Sequence, residues 1–217
     1  VAFFGAPIAQ PDHAARAVRV ALKMQQALAR LRQKWHAEGD KWPDLVRQMR
    51  MRIGISSGEI ATGNMGSSMR MNYTMMGDVV NTAARLEAAA KQYGVYILCT
   101  TETLRLAGPD DFIWRTIDKV KVVGKLEAIE SVEIMAYKGQ LSPEHVQMHA
   151  LYQQGIDLYR QQQWDEAMAK FIASEKLEDV FPRRPTTPSR VYIERCEFLK
   201  AHPPDPHWDG SWALTSK

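Results

Sequence analysis

An asparagine and an arginine four residues apart give the first indication of chemistry in this sequence. Asn81 and Arg85 lie in the stretch DVVNTAARLEAAAKQYG, whose apolar residues recur at helical spacing and predict an α-helix. A four-residue step places both side chains on one face of that helix. Arg85 has no acidic residue three or four positions before it. An amide beside such a guanidinium is suited to stabilising charge on a phosphoryl group during transfer, and a solvated surface pair is the alternative interpretation.

The segment before this helix, GEIATGNMGSSMR, is rich in small residues. It is predicted to be a glycine-rich connection that leads into a short strand from Met71 to Met76. Small residues would let an extended ligand approach the backbone there. Asp78 stands where the N-cap of the helix is expected, and its carboxylate would also interact favourably with the helix dipole. We therefore interpret Asp78 as a structural residue.

The composition indicates an ordinary globular chain. Its 217 residues are 45% hydrophobic and 24% charged, which is typical of one domain with a small appendage. A net charge of +3 is too small to indicate a nucleic-acid partner. No apolar run approaches the roughly 18 residues that a membrane helix needs. Cys99 and Cys196 lie far apart without metal-ligand spacing, which favours a reduced, cytoplasmic compartment.

The alternation of helical and strand patterns predicts an α+β domain over residues 1–139. We expect, in order, the end of a strand at 1–4, a helix after Asp12, strands at 49–55 and 71–76, the helix with Asn81, a strand at 95–99, a helix, and strands at 112–123 and 131–137. The first helix has its predicted packing stripe at Ala17, Ala21, Met24, Leu28, Leu31 and Trp35. This order predicts a ferredoxin-like antiparallel sheet with packing helices, its first strand or strands preceding Val1.

The character of the sequence changes after residue 139. Residues 140–200 are glutamine-rich and helical in period, and one stretch resembles a tetratricopeptide unit of 34 residues. The residues that carry this resemblance are Tyr152, Gly155, Tyr159, Trp164, Ala167 and Phe171. A partner helix is expected at 189–200, so we interpret this region as a helical appendage of the first domain. The Pro-rich tail, 201–217, is expected to run extended, with Trp208 and Trp212 anchored on a surface.

Five segments, in this order, resemble the catalytic domain of class III nucleotide cyclases over residues 1–137. They are FFGAP, RIGISSGE, GNMGS, YTMMGDVVNTAARLE and VVGKLEAIESVEI. The resemblance implies conversion of ATP, or of GTP in some members, into the 3′,5′-cyclic nucleotide and pyrophosphate. It also implies a head-to-tail dimer of two cyclase domains with the active site between them, and two divalent ions, Mg²⁺ or Mn²⁺.

The resemblance assigns roles to individual residues. Asn81 matches the asparagine that orients the ribose, and Arg85 matches the arginine that stabilises the transition state. Thr74 matches the purine-recognition position, where threonine is found in a subgroup, class IIIb, that includes bicarbonate-responsive cyclases. A hydroxyl is compatible with ATP because it can accept a hydrogen bond from the adenine amino group. Arg70 matches a basic position near the phosphates, and possible bicarbonate regulation is a hypothesis that rests on Thr74 alone.

Two departures from the family pattern affect the expected activity. The aspartates that bind the metal ions in relatives would lie upstream of Val1, as would the lysine that contacts the purine, so we expect no metal ligands here and no activity from this chain alone. Many members read Val-Lys-Gly-Lys near the end of the domain, whereas this chain has Val123 at the lysine position. Lys121 and Lys125 are the remaining candidates for the phosphate contact.

Three functions are compatible with these patterns. The leading hypothesis is an adenylate cyclase domain that makes cyclic AMP in the cytoplasm, with a membrane anchor N-terminal to it left open. The alternative is a non-catalytic cyclase-homology partner that dimerises with an active domain and regulates it. A helical-repeat adaptor built on residues 150–217 is a third reading. The presence of both Asn81 and Arg85 favours the first hypothesis, because a purely structural domain needs neither.

Overall fold

The computed structural model describes residues 1–67, 70–121, 128–178, 185–205 and 208–213. The helices are α1 (His13–Ala37), α2 (Asp44–Arg47), α3 (Asp78–Tyr93), α4 (Thr101–Ala107), α5 (Pro143–Arg160), α6 (Trp164–Glu175) and α7 (Pro188–Ala201). The strands are β1 (Ile53–Ile55), β2 (Ala61–Ser67), β3 (Arg70–Met76), β4 (Ile97–Thr100), β5 (Phe112–Lys121), β6 (Ala128–Tyr137) and β7 (Trp212–Ala213). None of the helices in these ranges is long and apolar enough to span a bilayer.

The main sheet has the strand order β1-β4-β6-β5-β7, and β2 and β3 form a separate antiparallel hairpin. The α+β class is therefore confirmed, but the sheet is mixed. The pairs β4–β6 and β5–β6 are antiparallel, whereas β1–β4 and β5–β7 are parallel. A parallel pair needs a long crossover connection. Between β1 and β4 that connection consists of the hairpin and α3, so the sheet topology itself places α3 on the sheet.

Helices cover both faces of the sheet. Successive residues of a strand point to opposite faces. Ile97 and Cys99 of β4 accordingly pack with α1 and α4, while Leu98 between them packs with α3 and with Ile117 of β5. The face that carries Leu98 is thus the one that orients α3.

A backbone contact joins α3 to β1. A Cβ atom at Gly54 would lie 2.1 Å from the carbonyl oxygen of Ala83 and 2.5 Å from the backbone nitrogen of Glu87. Both distances are far shorter than a van der Waals contact, so only glycine permits this approach of strand and helix. The middle of α3 is therefore held directly on the strand.

The C-terminal helices have a core of their own, and it is rich in aromatic rings. Its buried members are Tyr152, Ile156, Tyr159, Ala167, Phe171, Tyr192, Cys196 and Leu199. Trp208 lies 5.2 Å from the ring of Tyr159, and Trp212 lies 5.7 Å from the ring of Phe198. Both tryptophans of the tail thus lie on α5–α7. The helix–turn–helix of α5 and α6 coincides with the predicted helical period, and its assignment to the tetratricopeptide family stays a prediction.

Three local predictions are wrong. Residues 1–4 form no strand, because they have no ladder partner in the described part of the chain. The glycine-rich connection is strand β2, whose backbone pairs along its length with β3. The buried stripe of α1 is rotated toward Val18 and Leu22, which leaves Met24 and Leu31 more than 40% exposed. In each case the burial and pairing of a segment depend on distant residues.

The contact at Gly54 can be tested by adding a single methyl group. We expect Gly54→Ala to lower the free energy of unfolding by about 3 kcal/mol, because the new Cβ overlaps backbone atoms that can move only with the whole helix. Chemical denaturation measures this change. Gly63→Ala is the matched control, since a Cβ at Gly63 has no neighbour within 4 Å. Equal stability of the two variants would contradict the proposed close contact.

Candidate active site

The exposed face of α3 brings the two central candidates together. Asp78, Asn81 and Arg85 follow the spacing i, i+3 and i+7 and are all exposed, as are Ala84 and Ala88 beside them. The opposite face is buried on the sheet through Thr82, Leu86, Ala90 and Tyr93. The buried face therefore turns the amide and the guanidinium outward, among side chains too small to cover them.

The electrostatic surroundings of Arg85 leave its guanidinium available. Within the described ranges, the side chains of Asn81 and Arg85 have neither a hydrogen bond nor an ion pair. The carboxylate nearest in sequence, Glu87, is bound by Arg52 at 3.1 Å, and a residue two positions away does not share a helical face with Arg85. A guanidinium in this state can bind an anionic ligand without first breaking a salt bridge.

The hairpin that precedes α3 carries the predicted purine-recognition residue. Thr74 is half-buried in β3, opposite Gly63 in the register of the hairpin. A glycine partner has no side chain that could cover the threonine from the neighbouring strand. Since β3 continues into α3 through Gly77, Thr74 and Asn81 lie on consecutive elements.

The structure describes only part of the three basic residues predicted to contact the phosphates. Arg70 is the first residue of β3 and pairs with Ser67, but its side chain lies outside the described part of the structure. Lys121 is the last residue of β5, in the main sheet, and its side chain is likewise outside the described part. Lys125 lies outside the described residues altogether. The phosphate contacts expected from these three residues therefore stay predictions.

The prediction that Asp78 is the N-cap of α3 is wrong, because the N-cap lies one residue earlier. The N-cap of α3 is Gly77, and Asp78 is the first helical residue. Gly77 has φ 153°, and a Cβ there would lie 3.2 Å from the carbonyl oxygen of Glu59. A glycine is thus favoured at the turn, which shifts the start of the helix. The carboxylate of Asp78 still lies in the first turn, where it interacts favourably with the helix dipole.

The described residues contain neither a candidate metal cluster nor an activated cysteine. Within the described ranges there is no group of three or more His, Cys, Asp or Glu residues that could hold a metal ion. The two divalent ions that the family resemblance implies stay a prediction. Burial raises the pKa of Cys99 to about 12 and that of Cys196 to about 12, so neither thiol is an activated nucleophile.

Two buried charge clusters were missed by the sequence interpretation. Arg115 of β5 binds Glu133 of β6 at 2.7 Å and Glu178, after α6, at 2.6 Å. Arg195 of α7 binds Asp118 of β5 at 2.8 Å. The available signal was a charged residue at an inward position of the strand pattern FIWRTIDKV. Its partners come from other elements, so spacing alone could not identify them.

Comparisons with known proteins identify the family of residues 1–137. The sequence profile of the family described as "Adenylate and Guanylate cyclase catalytic domain" matches residues 1–137. The chain is 35% identical over 149 residues to "Adenylate cyclase, terminal-differentiation specific" of Dictyostelium discoideum. The aligned region covers 66% of this chain and 7% of that protein. It is 39% identical over 122 residues to the adenylate cyclase of Anabaena cylindrica, covering 55% of this chain and 24% of that protein.

The fold is also similar to a solved structure. The adenylyl cyclase CyaB from P. aeruginosa superposes with a TM-score of 0.52 at 30% sequence identity, covering 64% of this chain and 68% of that chain. The chain thus spans less than a quarter of the length of the two named relatives and about two thirds of the solved domain. The profile match over residues 1–137 covers more than half of the chain, and the protein belongs to the adenylate and guanylate cyclase catalytic-domain family.

Proposed function

We propose that this chain is part of an adenylate cyclase, which converts ATP into 3′,5′-cyclic AMP and pyrophosphate. The observation that carries the proposal is the exposed pair of Asn81 and Arg85 on one face of α3, in a chain of the cyclase family. The family includes enzymes for both ATP and GTP, so the choice of nucleotide rests on further arguments.

The reaction assigns a separate task to each of these side chains. The ribose 3′-oxygen forms a bond to the α-phosphorus, the bond from that phosphorus to the bridging oxygen breaks, and pyrophosphate leaves as the hydroxyl proton passes to solvent. Asn81 would hold the ribose through its amide. Arg85 would donate hydrogen bonds to the α-phosphate, where its rigid fork meets the charge that develops as pyrophosphate departs. Divalent ions, when bound, would supply charge neutralisation in such a reaction.

The preference for ATP rests on Thr74 and on the relatives. The hydroxyl of Thr74 is compatible with ATP because it can accept a hydrogen bond from the adenine amino group. Thr74 is half-buried, so a base beside it would be partly shielded from water. Two of the relatives named above are adenylate cyclases. Bicarbonate regulation remains a hypothesis tied to the same residue.

A second cyclase domain is the proposed partner. The β2–β3 hairpin exposes large apolar side chains, with Met71 62%, Tyr73 51% and Met76 61% exposed. Neighbouring apolar side chains on the surface are typical of protein interfaces. The exposed face of α3 is lined by Ala84 and Ala88, which would let another chain approach Asn81 and Arg85. These features support a dimer in which the active site lies between two domains.

The catalytic assignment predicts a selective loss of turnover. In the protein expressed from its natural start codon, Arg85→Ala should reduce kcat for cyclic AMP by about 100- to 1,000-fold, the usual effect of losing a donor to transition-state charge. The free energy of unfolding should change by less than about 0.5 kcal/mol, because the side chain is exposed and forms neither a hydrogen bond nor an ion pair within the described residues. Asn81→Ala should behave similarly.

Arg105→Ala is the control for that experiment, since Arg105 is an exposed arginine on α4 whose ion pair in the described residues is with Glu102. Its activity should equal that of the wild type. Unchanged cyclic AMP production by purified Arg85→Ala protein would overturn the assignment. A wild-type protein that is inactive but changes the activity of a second cyclase domain would establish the non-catalytic alternative.

Nucleotide choice is tested by comparing substrates. We expect kcat/KM for ATP to exceed that for GTP by at least about tenfold, and Thr74→Ala to lower the value for ATP by about tenfold, because one hydrogen bond to the base is lost. The assay is run with Mg²⁺ and with Mn²⁺, with and without bicarbonate. Equal use of both nucleotides would contradict the assignment of ATP.

The proposed interface is tested by the oligomeric state. We expect Tyr73→Glu to weaken self-association by at least about tenfold, since a charge is placed on an apolar surface that the dimer would bury. Sedimentation velocity over a concentration series measures the change. Leu45→Glu is the matched control, because Leu45 is 83% exposed and belongs to α2 rather than to the hairpin. Equal effects of the two substitutions would contradict a hairpin interface.

A further inference from the structure

The end of α3 is enclosed by the helical appendage. Tyr93, the last residue of α3, is 2% exposed, and Gly94 ends the helix in the left-handed conformation with φ 66°. A Cβ at Gly94 would lie 1.9 Å from the carbonyl oxygen of Thr186, in the segment that leads into α7. Val191 of α7 packs against the cluster that contains Leu86. The appendage is thus in backbone and side-chain contact with the helix that carries Asn81 and Arg85.

Three elements meet at one buried ion pair. Arg195 of α7 binds both carboxylate oxygens of Asp118 on β5, at 3.1 and 2.8 Å. Its Nη2 also donates to the hydroxyl of Tyr93 at 3.2 Å, and that hydroxyl donates to Asp118. All three side chains are buried. Burial and the neighbouring carboxylate raise the pKa of Tyr93, so its hydroxyl remains a donor at any physiological pH.

Aromatic rings fix the guanidinium of Arg195. Its central carbon lies 5.3 Å from the ring centroid of Tyr192 and 4.7 Å from that of Trp212. Tyr192 donates to the carbonyl of Ile117 at 3.0 Å, and Trp212 belongs to β7, which pairs with the end of β5. The side chain of Arg195 therefore has few accessible conformations. It forms a rigid link between the sheet and the end of α3.

Two contacts, one in the middle of α3 and one at its end, determine how the helix could move. Gly54 contacts the helix at Ala83 and Glu87, and the ion pair holds it at Tyr93. With about 1.5 Å of rise per residue, Arg85 lies about 12 Å and Asn81 about 18 Å from Tyr93 along the axis. Because Arg85 lies between Ala83 and Glu87, its Cα would stay near the contact at Gly54 when the end of the helix shifts. The helix would tilt about that contact, and the tilt would redirect the long side chain of Arg85 and move Asn81. Misplacement of a reacting group by 1 Å can cost about 100-fold in rate.

We propose that the appendage α5–α7 positions the catalytic helix α3, with Arg195 as the positioning residue that acts through Tyr93. The role rests on the proposed function of Asn81 and Arg85, which lie on the same helix. The helices α5–α7 would then help to set the geometry of the candidate active site rather than form an independent module. A signal that loosens α7 would lower turnover without touching the active site.

The chain contains a matched control for this proposal. Arg115 forms an equally buried ion-pair cluster with Glu133 and Glu178 and lies 4.8 Å from the ring of Tyr152. This cluster also joins the appendage to the sheet, but its described contacts do not include any residue of α3. Its loss would weaken the docking of the appendage while leaving the end of α3 held.

The decisive experiment compares Arg195→Met with Arg115→Met in the protein expressed from its natural start codon. Hydrogen exchange of the backbone amides of residues 82–92 should accelerate by at least about tenfold in Arg195→Met only. With ATP as substrate, kcat should fall by about tenfold in that variant while KM changes by less than about twofold, because orientation rather than binding is impaired. Arg195→Lys, which keeps the charge, should recover part of the loss.

A milder pair of variants covers the case in which the arginine variants do not fold. Tyr93→Phe removes the hydroxyl that joins α3 to the ion pair, and Tyr152→Phe removes an equally buried hydroxyl that donates to Thr116 at 2.9 Å. Only Tyr93→Phe should change the exchange of α3 and kcat. Equal effects within either pair, or unchanged exchange in α3, would overturn the positioning role. Altered exchange in a protein without cyclase activity would support the positioning of α3 and overturn the proposed function instead.

Discussion

The backbone contact between α3 and β1 at Gly54 determines where the candidate catalytic side chains lie. Because the carbonyl of Ala83 and the amide of Glu87 approach the strand within the space of a missing side chain, α3 cannot rotate about its axis. One face is thereby committed to the sheet through Leu86 and Ala90. The face with Asn81 and Arg85 is left to solvent and to any chain that docks there.

Buried charge supplies the second constraint. Arg115 and Arg195 join the C-terminal helices to β5 through carboxylates that are almost completely removed from water. An ion pair of this kind contributes little net stability, because desolvation offsets the attraction, but losing one partner is costly. The C-terminal helices must therefore dock in an orientation that pairs both Arg115 and Arg195 with their carboxylates. The contacts of Arg195 with Asp118 and Tyr93 connect this docking to the end of α3, as the proposed positioning role requires.

Local patterns predicted the elements whose stability is local. The helix at 78–93 and the strand at 112–121 follow from hydrophobic period, and the proximity of Asn81 and Arg85 follows from helical geometry alone. Predictions failed where the outcome depends on a distant partner. Residues 1–4 have strand composition but no neighbouring strand, whereas the glycine-rich segment becomes β2 because β3 pairs with it. Strand formation requires a ladder partner, and spacing within a segment does not reveal one.

The sequence by itself determined the family and the α+β class, and it placed Asn81 and Arg85 on one face of a helix, since these depend on residue types at short range. Their role in phosphoryl chemistry stays a prediction. Only the tertiary structure decided which face of α3 is exposed, that Gly77 rather than Asp78 caps it, and that α7 holds its end through Arg195, Asp118 and Tyr93. These three residues are spread over more than 100 positions of the chain. A buried ion pair forms only when folding brings its partners together in a site from which water is excluded.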